Sequence, residues 1–178
     1  MSSTTSTSST GVRRLDSVSI VQLEMLADLL IDCVEGGASV SFMHPLSREK
    51  ALSFWRGVAD GVAQGERVLL VAADDEGIVG TVQVVLAQPE NQPHRGDVSK
   101  MLVIQRARKR GLGGLLMRAA EQTARDSGKT LLVLDTASAE AERLYEREGW
   151  QRCGTIPGYA LLPNGEPCDT VYFYKQLG

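Results

Sequence analysis

Residues 98–124, VSKMLVIQRARKRGLGGLLMRAAEQTA, decide the fold. They read as an apolar strand, a basic Arg/Gly loop and an amphipathic helix. The loop holds Arg108-Lys109-Arg110-Gly111-Leu112-Gly113, an R-x-x-G-x-G pattern that runs on into Gly114. A helix that starts on glycines presents unpaired backbone N–H groups and the positive end of its dipole. With no Cβ in the way an anion approaches that backbone closely, so the loop suits a pyrophosphate. Arg108, Lys109 and Arg110 add side-chain charge at the same place.

Other glycine loops fit less well. A dinucleotide fingerprint needs Gly or Ala where Leu116 stands, and the phosphate loop of nucleotide hydrolases needs Gly where Thr123 stands. Gly128 reads instead as a helix C-terminal glycine before a strand.

Outward from the loop, the pattern is that of an α/β chain with a mixed sheet. Val12–Val18 reads as a strand. Ile20–Val34 carries Leu23, Leu26, Ala27, Leu30 and Val34 at helical spacing and ends at Gly36-Gly37. Ser47 caps a second helix to about Ala63, whose apolar face is Ala51, Trp55, Val58, Ala59 and Val62. Arg67–Ala73 and Ile78–Gln88 are β-rich and joined by Asp74-Asp75-Glu76-Gly77, which is hairpin chemistry. Residues 89–96 form a loop. Strand 97–104, helix 112–127 and strand Thr130–Asp135 make a βαβ unit with parallel strands. The buried face of that helix is expected to be Leu112, Leu115, Leu116, Ala119, Ala120 and Thr123. Helix 138–148 and two final strands complete a central sheet flanked by helices.

Composition narrows the function. The 178 residues are 43% apolar, enough for one domain over 11–178 with a real core. The net charge of −3 gives no global basic field for nucleic acid. Residues 1–10 are a Ser/Thr tract expected to be disordered, without the apolar stretch of a signal peptide. No apolar run is long enough to span a membrane. Cys33, Cys153 and Cys168 read as free buried thiols, which suits a reducing cytoplasm. His44 and His94 lie in separate loops with no metal-ligand spacing. His94 stays open as a minor alternative base. A homodimer is compatible with the chain, though no heptad or long apolar patch decides it.

The strand-R-x-x-G-x-G-helix unit resembles the acetyl-CoA-binding motif of the GCN5-related N-acetyltransferases, the GNAT family. Ala141-Glu142-Arg143-Leu144-Tyr145-Glu146-Arg147-Glu148-Gly149-Trp150 is similar to that family's A-x-x-L-Y-x-x-x-G-F segment, with Trp for Phe. Gly36–Met43, Pro157-Gly158-Tyr159 and Val171–Lys175 resemble the tabtoxin-resistance acetyltransferase branch. The resemblance implies a GNAT acyl-CoA N-acyltransferase fold and an acetyl-CoA-dependent enzyme acting on the amine of a small molecule. An amino-acid-like or dipeptide-like toxin or antibiotic is one such acceptor, which would make the function antibiotic resistance. Two other readings stay open: a non-catalytic acyl-CoA sensor, and a protein or peptide N-acetyltransferase.

Acetyl transfer from a thioester requires the cofactor to be held, the amine to be neutral and the leaving thiolate to be stabilised. Backbone from Arg108 to Gly114 would bind the pyrophosphate. By resemblance, Leu102 and Val103 pair with the pantetheine arm, and Ser138 stands where many members carry an Asn that touches it. An alkyl amine with a pKa of about 10 needs a proton acceptor at neutral pH. Asp97 starts the strand before the loop and Asp135 ends the strand after the helix, so either can act, best through a water. Each is equally a strand-end turn residue. Tyr145 is the candidate proton donor to the thiolate, and its helical face also suits a core tyrosine.

Overall fold

The computed structural model describes residues 11–178. The expected disorder of residues 1–10 lies outside the described residues. In chain order the elements are β1 (Val12–Leu15), α1 (Ile20–Glu35), α2 (Arg48–Ala63), β2 (Arg67–Asp74), β3 (Gly77–Val85) and β4 (Arg95–Val103). After a short 3-10 turn follow α3 (Leu112–Asp126), β5 (Leu131–Thr136), α4 (Ala139–Arg147), β6 (Gln151–Leu161) and β7 (Pro167–Gln176).

Seven strands form one sheet in the order β1-β2-β3-β4-β5-β7-β6. Among the described residues only β4 and β5 run parallel, joined by α3 as the βαβ reading requires. Each helix start is chemically marked. Ser19 and Gln22 form a capping box on α1, and Ser47 accepts the Lys50 N–H on α2. The β2–β3 turn is closed by the Asp74 carboxylate, which accepts the Glu76 N–H at 2.9 Å.

The two faces of the sheet are covered by different helices. On one, Leu26, Leu30, Cys33 and Trp55 from α1 and α2 pack on Leu69 and Val71. On the other, Leu116, Met117 and Ala120 of α3 pack with Val82, Leu132 and Phe173, and Tyr145 joins this layer from α4.

Several expectations need correction. Leu115 is 40% exposed, because the buried stripe of α3 is centred on Leu116 and Ala120 and takes in Met117, Glu121 and Ala124. Glu121 is tolerated there because the Trp150 Nε1–H and the Lys175 ammonium both donate to its carboxylate, at 3.0 and 2.8 Å. Cys153 is exposed on the edge strand β6 and Cys168 is half-buried, so only Cys33 is a buried thiol. The order of the two closing strands, on which the sequence is silent, is set by β7 inserting between β5 and β6.

Candidate active site

The parallel pairing of β4 and β5 lasts three residues, Arg95–Asp97 against Leu131–Val133, and then stops. Beyond it the strands separate around a cleft of about 930 Å³. A bulge in β4 contributes to the divergence. Thr81 pairs with Leu102 and Gln83 with Ser99, so two β3 steps oppose three on β4. The extra residue falls at Lys100, whose φ is +51°.

Strand alternation decides which backbone faces the opening. The Ile104 N–H donates to the Val79 carbonyl on β3, and the Leu102 carbonyl lies over Gly80. Leu102 is thus turned toward β3, which leaves Met101 and Val103 to present N–H and C=O groups to the open side. Of the expected pair only Val103 has that orientation, and Met101 was missed. The Val103 carbonyl is already used: it accepts from the Arg108 Nε–H at 3.1 Å and from the Cys33 thiol at 3.6 Å. Burial pushes the Cys33 thiol up to about 11, and the nearby Arg108 guanidinium opposes the shift.

The glycine loop has the expected geometry. Gly111 is the N-cap of α3 in the left-handed region, with φ +78°, and no described side chain caps the helix. The N–H groups of Leu112, Gly113 and Gly114 therefore sit at an open helix start on the cleft wall. A Cβ on Gly113 would come within 2.8 Å of Leu144, and one on Gly114 within 2.8 Å of Glu148. The glycines let α3 approach α4 as well as a ligand.

The side-chain charge is distributed differently from the sequence expectation. Arg106 pairs with Asp74 at 2.7 Å, and Arg108 is folded back on Val103. Arg110 is exposed and stands outside the cleft lining, whereas Lys109 lines it at φ +61°. Arg143 and Arg147 of α4, which the sequence reading passed over, line the cleft too. Their helical spacing of four was the available signal.

Asp135 and Tyr145 both line the cleft. The Asp135 carboxylate accepts from the Thr170 hydroxyl at 2.9 Å, and Asp135 faces Tyr172 across the β5–β7 pair. The Tyr172 hydroxyl donates to that of Tyr159, which pushes its own pKa up to about 12. Tyr145 is 5% exposed and packs edge-on against Phe173. Burial, reinforced by the charge of Asp135, holds its phenol well above the ordinary tyrosine range. The Ser138 hydroxyl caps α4 by accepting the Ala141 N–H at 3.2 Å, while its own proton stays available.

Asp97 is not brought to this group. It pairs with Arg95 at 3.4 Å where β4 and β5 are still hydrogen-bonded, outside the cleft lining. His94 lies still further toward that end, and its carbonyl accepts from the Thr130 and Leu131 N–H groups.

The sheet thus parts beside an uncapped glycine-started helix, and a carboxylate and a phenol line the gap. The GNAT acetyltransferase domain matches residues 65–152. An uncharacterized N-acetyltransferase from the hisH-hisA intergenic region of Azospirillum brasilense is 32% identical over 131 residues, 72% of this chain and 76% of that protein. Among solved structures, a ribosomal-protein-alanine N-acetyltransferase from Brucella melitensis superposes with a TM-score of 0.79 at 21% identity, covering 93% of this chain and 99% of that one. A phosphinothricin acetyltransferase from Sinorhizobium meliloti, solved in complex with acetyl-CoA, gives 0.77 at 16% identity, covering 95% and 89%. The chain belongs to the GNAT family of acetyltransferases. It is an acetyl-transferring enzyme with the GNAT fold.

Proposed function

We propose that this enzyme acetylates the amine of a small, amino-acid-like or dipeptide-like molecule in the cleft between β4 and β5. Acetyl-CoA is the cosubstrate, the ligand with which two structural neighbours of this fold were solved. The observation that carries the reading is the three-residue β4–β5 pairing, which opens the cleft and puts Asp135, Tyr145 and the α3 N-terminus around it.

In this scheme the N–H groups of Leu112, Gly113 and Gly114 hold the pyrophosphate, where the helix dipole favours negative charge. Lys109, Arg143 and Arg147 supply charge at the mouth. The pantetheine arm lies along Met101 and Val103 and pairs with the Met101 backbone and the Val103 N–H, the Val103 carbonyl being held by Arg108 and Cys33. Ser138 donates its proton to the same arm.

The amine lone pair attacks the thioester carbonyl, the C–N bond forms and the C–S bond breaks. The amine proton passes to Asp135 through a water that bridges the carboxylate and the attacking nitrogen. Tyr145 gives its proton to the departing sulfur. Burial keeps that phenol protonated, so the donor form is the one present when the thiolate departs. Asp97 has no part in these steps, and its placement beside Arg95 supports a structural role.

The acceptor side is bounded by Ala38–Ser41 and by Leu162 in the β6–β7 turn. Those segments adjoin the stretches that resemble the tabtoxin-resistance branch, and the phosphinothricin neighbour is compatible with a small antimetabolite acceptor. The test is thiol release from acetyl-CoA against a panel of amines with wild type and Tyr145→Phe. Acetyl-CoA affinity should be unchanged in the variant, with kcat lower by about 100-fold, the low end of general acid catalysis. Equal kcat in both proteins would remove Tyr145 from the chemistry.

A further inference from the structure

Among the described residues three non-glycines hold a left-handed backbone: Ser41, Lys100 and Lys109. All three line the one cleft. An L side chain is strained in the left-handed region, and such outliers gather at functional sites. Lys109 belongs to the pyrophosphate loop, so its conformation has a reason. The other two are partners of each other: the Lys100 ammonium donates to the Ser41 hydroxyl at 3.2 Å. Ser41 sits between α1 and α2, and Lys100 is the bulged residue of β4.

The ammonium also stands 5.8 Å from the centre of the Phe54 ring on α2. This places it on the α1–α2 face of the sheet, opposite the face covered by α3. The pyrophosphate loop starts α3, so Lys100 is on the wrong side to serve it. The nearby opposite charge is Asp135, the residue assigned to the amine. Lys100 and Asp135 thus put a cation and a carboxylate near each other in the cleft, with the cation held by a hydroxyl and an aromatic face.

We propose that Lys100 determines specificity: its ammonium, positioned by Ser41, pairs with the carboxylate of an α-amino-acid acceptor whose amine is turned toward Asp135. The assignment rests on the cleft being where the acceptor amine is acetylated. A zwitterion matches both charges at once, and a neutral or purely cationic amine leaves Lys100 unpaired in a half-buried place. Burial already lowers the Lys100 pKa, and an acceptor carboxylate would restore the charged form. A peptide amine, a dipeptide's included, has an amide as its neighbouring carboxyl and does not fit this contact, so of the two proposed acceptor classes the amino-acid-like one is selected.

The experiment compares the protein amino acids with their amides as acceptors, using wild type, Lys100→Met and Lys100→Arg. Met keeps the length of the side chain and meets the same backbone conformation, so strain is unchanged. Wild type should prefer acids over the matching amides. Lys100→Met should raise KM for the acids about 10- to 100-fold, as expected for loss of a charged hydrogen bond, and leave the amides unaffected. Lys100→Arg should restore most of the preference, because Arg retains the charge and cannot give up its proton.

Equal use of acids and amides by wild type, or equal losses on both in Lys100→Met, would overturn the proposal. Failure of Lys100→Arg to rescue would point to proton transfer by Lys100 and would also overturn it. Acetyl-CoA that binds but is consumed with no member of the panel would exclude an α-amino-acid acceptor. Acetyl-CoA binding to each variant is measured by calorimetry in parallel. Its absence in wild type would sink the cleft reading itself, a separate failure.

Discussion

The indole N–H of Trp150 donates to the Glu121 carboxylate at 3.0 Å, inside the layer that carries Tyr145. Glu121 belongs to α3 and Trp150 follows α4, so the bond fastens the cofactor-side helix to the segment bearing the proposed proton donor. Lys175 of β7 completes the arrangement by pairing with Glu121 and donating to the Glu148 carbonyl. A buried carboxylate with two donors is stable. Removing the carboxylate leaves the Lys175 ammonium without its opposite charge and the Trp150 N–H without its acceptor.

Glu121→Ala should therefore destabilise the fold by about 3 kcal/mol, the cost of breaking a buried pair from one side. Thermal unfolding should show this as a fall in Tm of about 6–12 °C for a chain of this size. Glu121→Gln, which can still accept from Trp150, should lose less. Equal Tm in wild type and Glu121→Ala would show that the contact contributes nothing.

Gly111→Ala should disturb the pyrophosphate loop without disturbing the core. Nothing within 4 Å would meet the new Cβ, but φ at +78° makes any L side chain strained there. The expected cost in stability is about 1 kcal/mol. If the loop relaxes to relieve it, acetyl-CoA should bind about ten-fold more weakly, as a loss of about 1.4 kcal/mol corresponds to ten-fold. Calorimetry on the two proteins measures both.

The pH profile follows from two residues with shifts of opposite direction. Tyr145 is raised, so its protonated form persists through the ordinary phenol range. The rate with acetyl-CoA saturating should rise as the acceptor amine deprotonates and show no fall at pH 10 from loss of the tyrosine proton. Lys100 is lowered, chiefly by burial, so its charge is lost below the usual lysine range. Acceptor KM should increase on that limb in wild type and stay flat in Lys100→Arg.

The cysteines give a chemical check on packing. Cys153 is exposed, and Cys33 is buried with its thiol at about 11. At pH 8 an alkylating reagent should modify Cys153 first and reach Cys33 after unfolding, because the thiolate is the nucleophile. Mass spectrometry of the folded and denatured protein reads the order.

Much of this architecture was legible in residues that act locally. Ser47 marks the start of α2, Asp74–Gly77 marks the hairpin, and Gly111–Gly114 mark the uncapped start of α3. Each works within a few residues of itself, so composition and spacing suffice. Lys100 was not legible because its bulge comes from the register against β3, where nothing at position 100 announces it. Asp97 and Asp135 are both aspartates at strand ends, and the sequence favours Asp135 only because it runs through Thr136 into the second signature. Only the three-residue length of the β4–β5 pair separates them, by leaving Asp97 in the closed part and Asp135 in the open part. Arg108 lines the cleft, and its Nε–H also donates to the Val103 carbonyl at the end of β4, a contact that its place in the loop does not announce. The edge position of Cys153 depends on β7 entering the sheet ahead of β6, a topological choice that no strand's own sequence encodes.

The most direct measurement of the central claim is acetyl-CoA binding to the wild-type chain by calorimetry, with amine-dependent thiol release followed in the same sample. Micromolar binding, with release that Tyr145→Phe and Asp135→Asn each reduce without altering affinity, is the result predicted for transfer between β4 and β5. Absence of acetyl-CoA binding would contradict the assignment of the Gly111–Gly114 helix start, and with it the site built around that loop.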